Sequence, residues 1–277
     1  MNIVTIMNYD WSIRDYCAMC YTWIKQAQIW LDKEDLCVIF SKKPLPRFLI
    51  EAMKQSTTCR FKSCVREGFD CRIVFPGNSL VEKRSSSENV SYKLYISCNI
   101  NFPFIFIDSD AFIVGSLSEV KSILDSDRKV VFIDHETNLK DTKDFPLFIN
   151  SGFFINNDVE KSILNWGYLY EYAKKRGFIF KFKNGKTIPG TDQSLIKSYL
   201  DYIGYKYNSE TIDTKYNSFA GSVTKIEKIN NLWKCYKDEA EIKVIHFWSS
   251  YKPWEIGCPI FGETINDKMF NSNFIVE

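Results

Sequence analysis

Phe104-Ile-Phe-Ile107-Asp108-Ser109-Asp110-Ala-Phe-Ile-Val114 sets four consecutive apolar residues before two carboxylates one residue apart. A strand with one solvated face alternates apolar and polar residues with period two. Four apolar residues in a row instead predict a strand buried on both faces, as inside a parallel sheet. Asp108 and Asp110 then stand at its carboxyl end, and carboxylates so close repel unless a cation or donors lie between them. Mg²⁺ and Mn²⁺ take oxygen ligands, commonly one or two carboxylates together with substrate phosphates. Asp-x-Asp also occurs in turns and helix caps, so this stretch alone leaves a structural role open.

Working outward, the first half of the chain alternates strand and helix. Ile3–Met7 reads as a strand, then Ser12–Trp30 as an amphipathic helix that Ser12 could cap. Asp35–Phe40 and Arg72–Phe75 read as further strands, with Pro46–Lys54 and Glu88–Cys98 helical. Strands separated by helices imply crossovers and a mostly parallel, Rossmann-like sheet, whose ligands bind beyond the carboxyl ends of the strands. Asn8-Tyr9-Asp10-Trp11, Pro76-Gly-Asn78 and Asp108–Asp110 would share that rim. In the second half, Leu117–Leu124, Val159–Arg176 and Asp192–Leu200 read as helices. Val130–Ile133, Phe148–Ile155 and Lys243–Phe247 read as strands. Arg176–Pro189 is basic and punctuated by glycine, which predicts a mobile loop. The expectation is an α/β domain over residues 1–260, with a small antiparallel extension and a tail or flap at 261–277.

Composition narrows the function classes. The chain has 277 residues, 45% hydrophobic and 25% charged, which is globular and not disordered. Lys and Arg number 36 against 34 Asp and Glu, a balance that argues against nucleic acid as the main partner. No apolar run approaches the ~20 residues needed to span a bilayer. Met1–Met7 lacks the charged start and long apolar stretch of a secretory signal. The nine cysteines show no paired zinc spacing; Cys17-Ala-Met-Cys20 lies within an apolar helical pattern. Reduced thiols and a cytoplasmic location are expected.

Four other stretches carry chemistry. His246 ends the strand Lys243-Val-Ile-His246, and Lys252-Pro-Trp254 follows six residues later. A histidine ending a buried strand is often only a satisfied core residue, but beside a cation site it would have a ligand's role. His135, after Asp134, reads as part of a turn. Asn150-Ser151-Gly152 interrupts a strand; glycine there can mark close approach of a ligand or backbone, and asparagine suits hydroxyls. Gly190-Thr191-Asp192-Gln193 reads as a helix start, with Asp192 at the positive end of the dipole.

In order and spacing these pieces resemble the glycogenin-like members of glycosyltransferase family 8, from about Ile3 to Pro259. Lys83-Arg84 stands nine residues before Lys93, and Asp108-Ser-Asp110 begins fifteen after it. Phe148-Ile-Asn-Ser-Gly152, Thr191-Asp-Gln193 and His246-Phe-Trp-Ser-Ser-Tyr-Lys252-Pro-Trp254 complete the set, the last being the most specific. The resemblance implies a GT-A fold and retaining transfer of a hexose, glucose first and galactose next, from a UDP-sugar. It implies Mn²⁺ (or Mg²⁺) on Asp108, Asp110 and His246, and Lys252 on the phosphates. Arg84, Lys93 and Ser109 would meet the donor sugar or ribose, Asn150 and Asp192 sugar hydroxyls, and Gln193 the anomeric carbon. The rim after the first strand, Met7, Asn8 and Tyr9, would hold the uracil. A homodimer and a glycan or glycosylated-protein acceptor, such as collagen-type galactosyl-hydroxylysine, are in keeping with it.

Three positions depart from the family pattern. Pro189 stands where an aspartate is frequent, which bears on sugar recognition. Ser249 replaces a usual glycine beside the diphosphate. Ser12 occupies the place of a uracil-stacking tyrosine, leaving that role to Tyr9, Trp11 or Tyr16. Two alternatives remain open: self-glucosylation, with Tyr205, Tyr207 and Tyr216 as acceptors, and an inactive UDP-sugar-binding module. A third is a metal-dependent hydrolase or nucleotidyltransferase on a similar sheet; nucleotidyltransferases usually carry a glycine-rich turn after the first strand, and Asn8–Ser12 has no glycine.

Overall fold

The computed structural model describes residues 1–65, 86–124, 126–134, 149–176, 179–181, 187–189, 192–206, 213–230 and 232–247. The chain alternates β1 (Asn2–Ile6), α1 (Arg14–Trp30), β2 (Leu36–Ser41), α2 (Arg47–Lys54), β3 (Arg60–Val65), α3 (Ser86–Asn99) and β4 (Phe104–Ile107). There follow β5 (Ala111–Ile113), α4 (Ser118–Leu124), β6 (Val130–Asp134), β7 (Ile149–Asn156) and α5 (Trp166–Arg176). Next come the hairpin β8 (Ile179–Lys181) and β9 (Thr187–Pro189), then α6 (Asp192–Tyr202). The last described part is mostly strand: β10 (Ser218–Phe219), β11 (Lys225–Ile229), β12 (Leu232–Lys237), β13 (Ala240–Ile242) and β14 (Val244–His246).

Six strands form the central sheet in the order β3-β2-β1-β4-β7-β6. The pairs among β1 to β4 are parallel, whereas β7 runs antiparallel to both β4 and β6. The apolar reading of Phe104–Ile107 holds, since all four residues have no exposure. Their side chains divide between two cores, Ile105 and Ile107 facing α1 and α2, Phe104 and Phe106 facing α3, α5 and α6. Phe106 stacks on Phe154 at 4.9 Å between ring centroids, and Phe132 meets the same ring at 5.0 Å. Each such side chain contributes about 1.5–3 kcal/mol on burial, so the strand bearing the carboxylates is anchored from both faces.

Sheet order also fixes where a ligand can sit. From β1 the chain goes outward to β2 and β3, then returns to place β4 on the other side of β1. The carboxyl ends of β1 and β4 therefore flank a switch point, where open α/β sheets form a ligand crevice. The small antiparallel extension is present as the sheet β11-β12-β13.

Several local expectations are corrected. Ser12 does not cap α1; its amide and hydroxyl both donate to Asp10 Oδ1 (3.1 and 2.7 Å), and the helix begins at Arg14. A short-range aspartate turn has outcompeted the cap. Val159–Arg176 is helical only from Trp166. The Asp158 carboxylate instead collects the amides of Ser162, Ile163 and Leu164 and the Ser162 hydroxyl, holding a separate turn. Arg176–Pro189 contains the hairpin β8–β9, in line with the β-propensity of its Ile-Phe and Thr-Ile pairs. Strand β3 at Arg60–Val65 was not expected; its half-exposed, charge-bearing residues mark a sheet edge. The strand expected at Arg72–Phe75 and the tail at 261–277 lie outside the described residues.

Candidate metal and donor site

Beyond β4 the chain turns tightly, with the Ala111 amide donating to the Asp108 carbonyl at 3.0 Å, and enters β5. Strand β14 pairs antiparallel with β5, setting His246 opposite Ala111, and the Phe247 amide donates to the Asp110 carbonyl at 2.9 Å. These backbone pairings bring together residues 136 positions apart. Asp108, Asp110 and His246 each offer a ligand atom, all within 4.8 Å of one another. His246 Nε2 lies 3.2 Å from Asp110 Oδ1 and 4.0 Å from Asp108 Oδ2. Its other ring nitrogen, Nδ1, is 3.0 Å from Oδ1 of Asn217.

Lys93, on α3, joins this cluster to the start of α6. Its ammonium, buried over the Phe106 ring, lies 2.9 Å from Asp108 and 3.1 Å from Asp192 Oδ2. It also donates to Ser151 Oγ at 3.2 Å, and the Ser151 hydroxyl donates to Asp192 Oδ2 at 2.6 Å. Burial pushes the Lys93 ammonium down, but Asp108 and Asp192 outweigh it and hold it above its ordinary value. Burial likewise works against the Asp192 carboxylate, yet Lys93 and the Ser151 hydroxyl keep its pKa lowered. Asp108 goes the other way: burial raises it against the pull of Lys93, and the neighbouring Asp110 adds to the rise.

Ser151 reaches this position because β7 is irregular. Its register with β6 shifts between Phe132 and Ile133, so that Asn150 follows Phe154 as the next partner. The residues between leave that ladder, and such bulges re-aim side chains. Gly152, read from sequence as a point of close approach, is approached by the His246 ring. A Cβ there would stand 2.3 Å from Cε1 and 2.6 Å from Nδ1. Asn150 accepts the Gly152 amide through Oδ1 at 2.9 Å, while its buried Nδ2 has no hydrogen-bond partner among the described residues.

At the β1 side of the crevice, Tyr9 and Ser109 share a hydroxyl–hydroxyl hydrogen bond. The Tyr9 ring stacks on Tyr16 at 4.6 Å and meets Trp11 edge-on at 6.0 Å. Burial pushes its phenol well above the ordinary value, with Asp110 adding to the effect. Asn8 accepts the Lys42 amide at 3.2 Å. Gln193 is half-buried in the first turn of α6. Arg84, Thr191, Ser249, Lys252 and His135 lie outside the described residues. Sequence reasoning did not single out Asn217 or give Ser151 a role. Neither carries a local signal, since each acquires its contacts through long-range strand pairing.

The residues fit a divalent cation. Among the described residues Lys93 is the ammonium paired with Asp108 and Asp192, while Asp110 stands beside His246 and against Asp108, so the cluster gathers carboxylates in a largely buried place. Two carboxylates and an imidazole form a mixed oxygen and nitrogen set suited to an ion such as Mn²⁺. A cleft of about 700 Å³ lies elsewhere, lined by Tyr168, Tyr172, Tyr199 and Tyr202 among others, and holds none of these groups. It lies at the far end of α6, roughly 15 Å along the helix from Asp192.

No family model and no curated protein matches the sequence. Solved structures do match. All of the chain aligns with 98% of the galactosyltransferase LgtC in complex with donor and acceptor sugar analogs (TM-score 0.59, 15% identity). An active-site mutant of LgtC aligns equally fully at TM-score 0.60 and 14% identity. The fold is that of the GT-A glycosyltransferases. The glycosyltransferase GlyE of Streptococcus pneumoniae TIGR4 shares this GT-A architecture at TM-score 0.58 and 12% identity, over 98% of this chain and 63% of GlyE. The bifunctional glycosyltransferase WbbM matches at TM-score 0.57 and 15% identity, over 99% of this chain and 49% of its own. Within the GT-A frame, Asp108, Asp110 and His246 cluster at the carboxyl end of a central strand.

Proposed function

We propose that this chain is a metal-dependent, retaining glycosyltransferase that moves a hexose from a UDP-sugar to a hydroxyl of a glycan or glycosylated protein. The observation that carries this reading is the Asp108, Asp110 and His246 cluster at the switch point of a GT-A sheet. Glucose is the first candidate for the sugar and galactose the second; retention rests on the family resemblance. In the reaction the anomeric carbon–oxygen bond breaks with its electron pair leaving on UDP, the acceptor oxygen bonds to that carbon, and the acceptor's hydroxyl proton passes to the departing diphosphate. When bound, Mn²⁺ or Mg²⁺ would supply charge neutralisation for the diphosphate, held by Asp108, Asp110 and His246.

The chain's own groups have distinct tasks in this reading. Asp192 and Lys93 form a rigid, buried pair whose geometry Ser151 fixes, so that Asp192 presents an ionised acceptor for sugar hydroxyls. The Nδ2 of Asn150, without a partner among the described residues, is a buried donor that a sugar hydroxyl would satisfy, relieving a cost of about 1–3 kcal/mol. Gln193 would stand by the anomeric carbon. Arg84 and Lys252 would add positive charge at the leaving diphosphate, where it stabilises the transition state. Asn8, Tyr9, Ser109 and Ser249 would border the nucleotide and diphosphate.

Self-glucosylation is disfavoured at two of its three candidate tyrosines. Tyr216 is 2% exposed and donates to Glu119 Oε2 at 2.9 Å. Tyr205 is held by the amide and carbonyl of Val130 at 3.0 and 3.1 Å. A panel of UDP-sugars with Mn²⁺, scored by UDP release, tests the reading. Tight UDP binding without turnover of any donor would favour an inactive module. Intact-mass spectrometry after incubation with UDP-glucose separates transfer to an added acceptor from hexose gained by the chain itself.

A further inference from the structure

We infer that Asn217 is a positioning residue that fixes the tautomer of His246 and thereby makes Nε2 a metal ligand. The inference rests on the metal-site reading above and extends it to a residue outside the family motifs. Asn217 is 1% exposed and follows the short 3-10 turn Thr214–Tyr216, to which its amide is tied through the Thr214 carbonyl at 2.9 Å. Immediately after it, β10 pairs parallel with β14, Ser218 opposite Ile245 and Phe219 opposite His246. Backbone pairing therefore holds the asparagine beside the ring, with Oδ1 3.0 Å from Nδ1.

A carbonyl oxygen can only accept, so with Oδ1 toward the ring this contact is a hydrogen bond only when Nδ1 carries the proton. A neutral imidazole then carries its lone pair on Nε2, which faces Asp110 Oδ1 at 3.2 Å and Asp108 Oδ2 at 4.0 Å. With the proton on Nδ1 these lone pairs repel unless a cation stands between them; with the proton on Nε2 the same contact is a hydrogen bond to Asp110. The ring cannot turn away on its other side, because Gly152 gives it contact where even a Cβ would collide. With the Asn217 amide reversed, Nδ2 would donate to Nδ1 and the proton would move to Nε2, where it would bond Asp110 in place of a metal. The direction in which Asn217 points thus decides between a ligand and a plain hydrogen bond. Its own Nδ2 is buried without a partner among the described residues. Partners on the second nitrogen of a ligating histidine typically change metal affinity by about 10–100-fold.

The chain has only two histidines, so a ¹⁵N-histidine-labelled sample gives two pairs of ring signals, and His135→Gln assigns them. In protein saturated with diamagnetic Mg²⁺, at a pH well above the usual histidine value, His246 is expected to show the Nδ1-protonated pattern. Mn²⁺ titration by calorimetry is expected to give at least tenfold weaker binding for Asn217→Leu. Asn217→Asp, whose carboxylate can only accept, is expected to bind at least as tightly as the parent. An Nε2-protonated ring, or parental Mn²⁺ affinity in Asn217→Leu, would overturn the inference. If Asn217→Leu does not fold, weakened binding in Asn217→Asp overturns it equally. Failure of the parent protein to bind Mn²⁺ would instead overturn the underlying metal site, so the two are told apart.

Discussion

Replacing Gly152 by alanine would put a methyl carbon 2.3 Å from His246 Cε1, 2.6 Å from Nδ1 and 3.1 Å from Asn150 Oδ1. Ordinary contact begins near 3.4 Å, so ring and strand must separate by about 1.1 Å, the difference between 3.4 and 2.3. The strand has little freedom to yield: the Gly152 carbonyl accepts the Asp108 amide at 2.9 Å, and all of β7 is buried. The imidazole must therefore move, and the direction away from Gly152 disturbs both its Asn217 contact and its place beside Asp110. Overpacking of this kind costs about 1–3 kcal/mol. For a chain of this length that is a fall of several degrees in Tm, at roughly 2–4 °C per kcal/mol. Displacing one of three protein ligands by about 1 Å should also weaken Mn²⁺ binding at least tenfold, a figure in the range for disturbed ligand orientation. Differential scanning fluorimetry with and without Mn²⁺ measures both: the parent should gain Tm with the ion, and Gly152→Ala should start lower and gain less. Equal Tm values and an equal Mn²⁺ shift would refute the reasoning about how the histidine is held.

Lys93→Met should leave Asp108 and Asp192 without their shared cation, at a cost of about 3 kcal/mol, the lower end for a broken buried pair because Asp108 is partly open to solvent. Urea denaturation reads this loss, and a change below about 1 kcal/mol would count against the ion triad. Asp158→Asn should weaken the turn before α5. Burial raises the Asp158 carboxyl, but the Ser162 hydroxyl and three amides prevail and lower it. Its stabilisation is then fully present above the ordinary aspartate value of about 3.9 and is lost as pH falls through the lowered value. The stability gap between parent and variant should be constant at neutral pH and shrink only in strong acid. A gap that stays constant down to low pH would contradict the assignment.

Much of this was legible in the sequence, for reasons that can be stated residue by residue. Phe104–Ile107 announces a strand buried on both faces because no polar residue breaks it, and Asp108 and Asp110 follow from that strand's end. His246 is legible as a strand end but becomes a candidate ligand only in company with the carboxylates, and β14–β5 pairing supplies that company. Asn217 was illegible because its role depends on β10 pairing with a strand nearly thirty residues later. Gly152 was noticed for the right property, close approach, though the neighbour is a side chain of the site. Local competition explains the boundary errors: Asp10 takes the donors of Ser12, and Asp158 takes the amides that would have begun α5 earlier. Edge strand β3 escaped notice because its charged, half-solvated residues lack the apolar pattern of the inner strands.

The central claim is that a divalent ion held by Asp108, Asp110 and His246 enables sugar transfer from a UDP donor. UDP release from UDP-glucose and UDP-galactose, with Mn²⁺ and again after chelation, in the parent and in Asp110→Ala, tests it most directly. Turnover in the parent with Mn²⁺, and its loss both on chelation and in Asp110→Ala, is the predicted result. Turnover that survives chelation, or that Asp110→Ala leaves unchanged, would contradict the account.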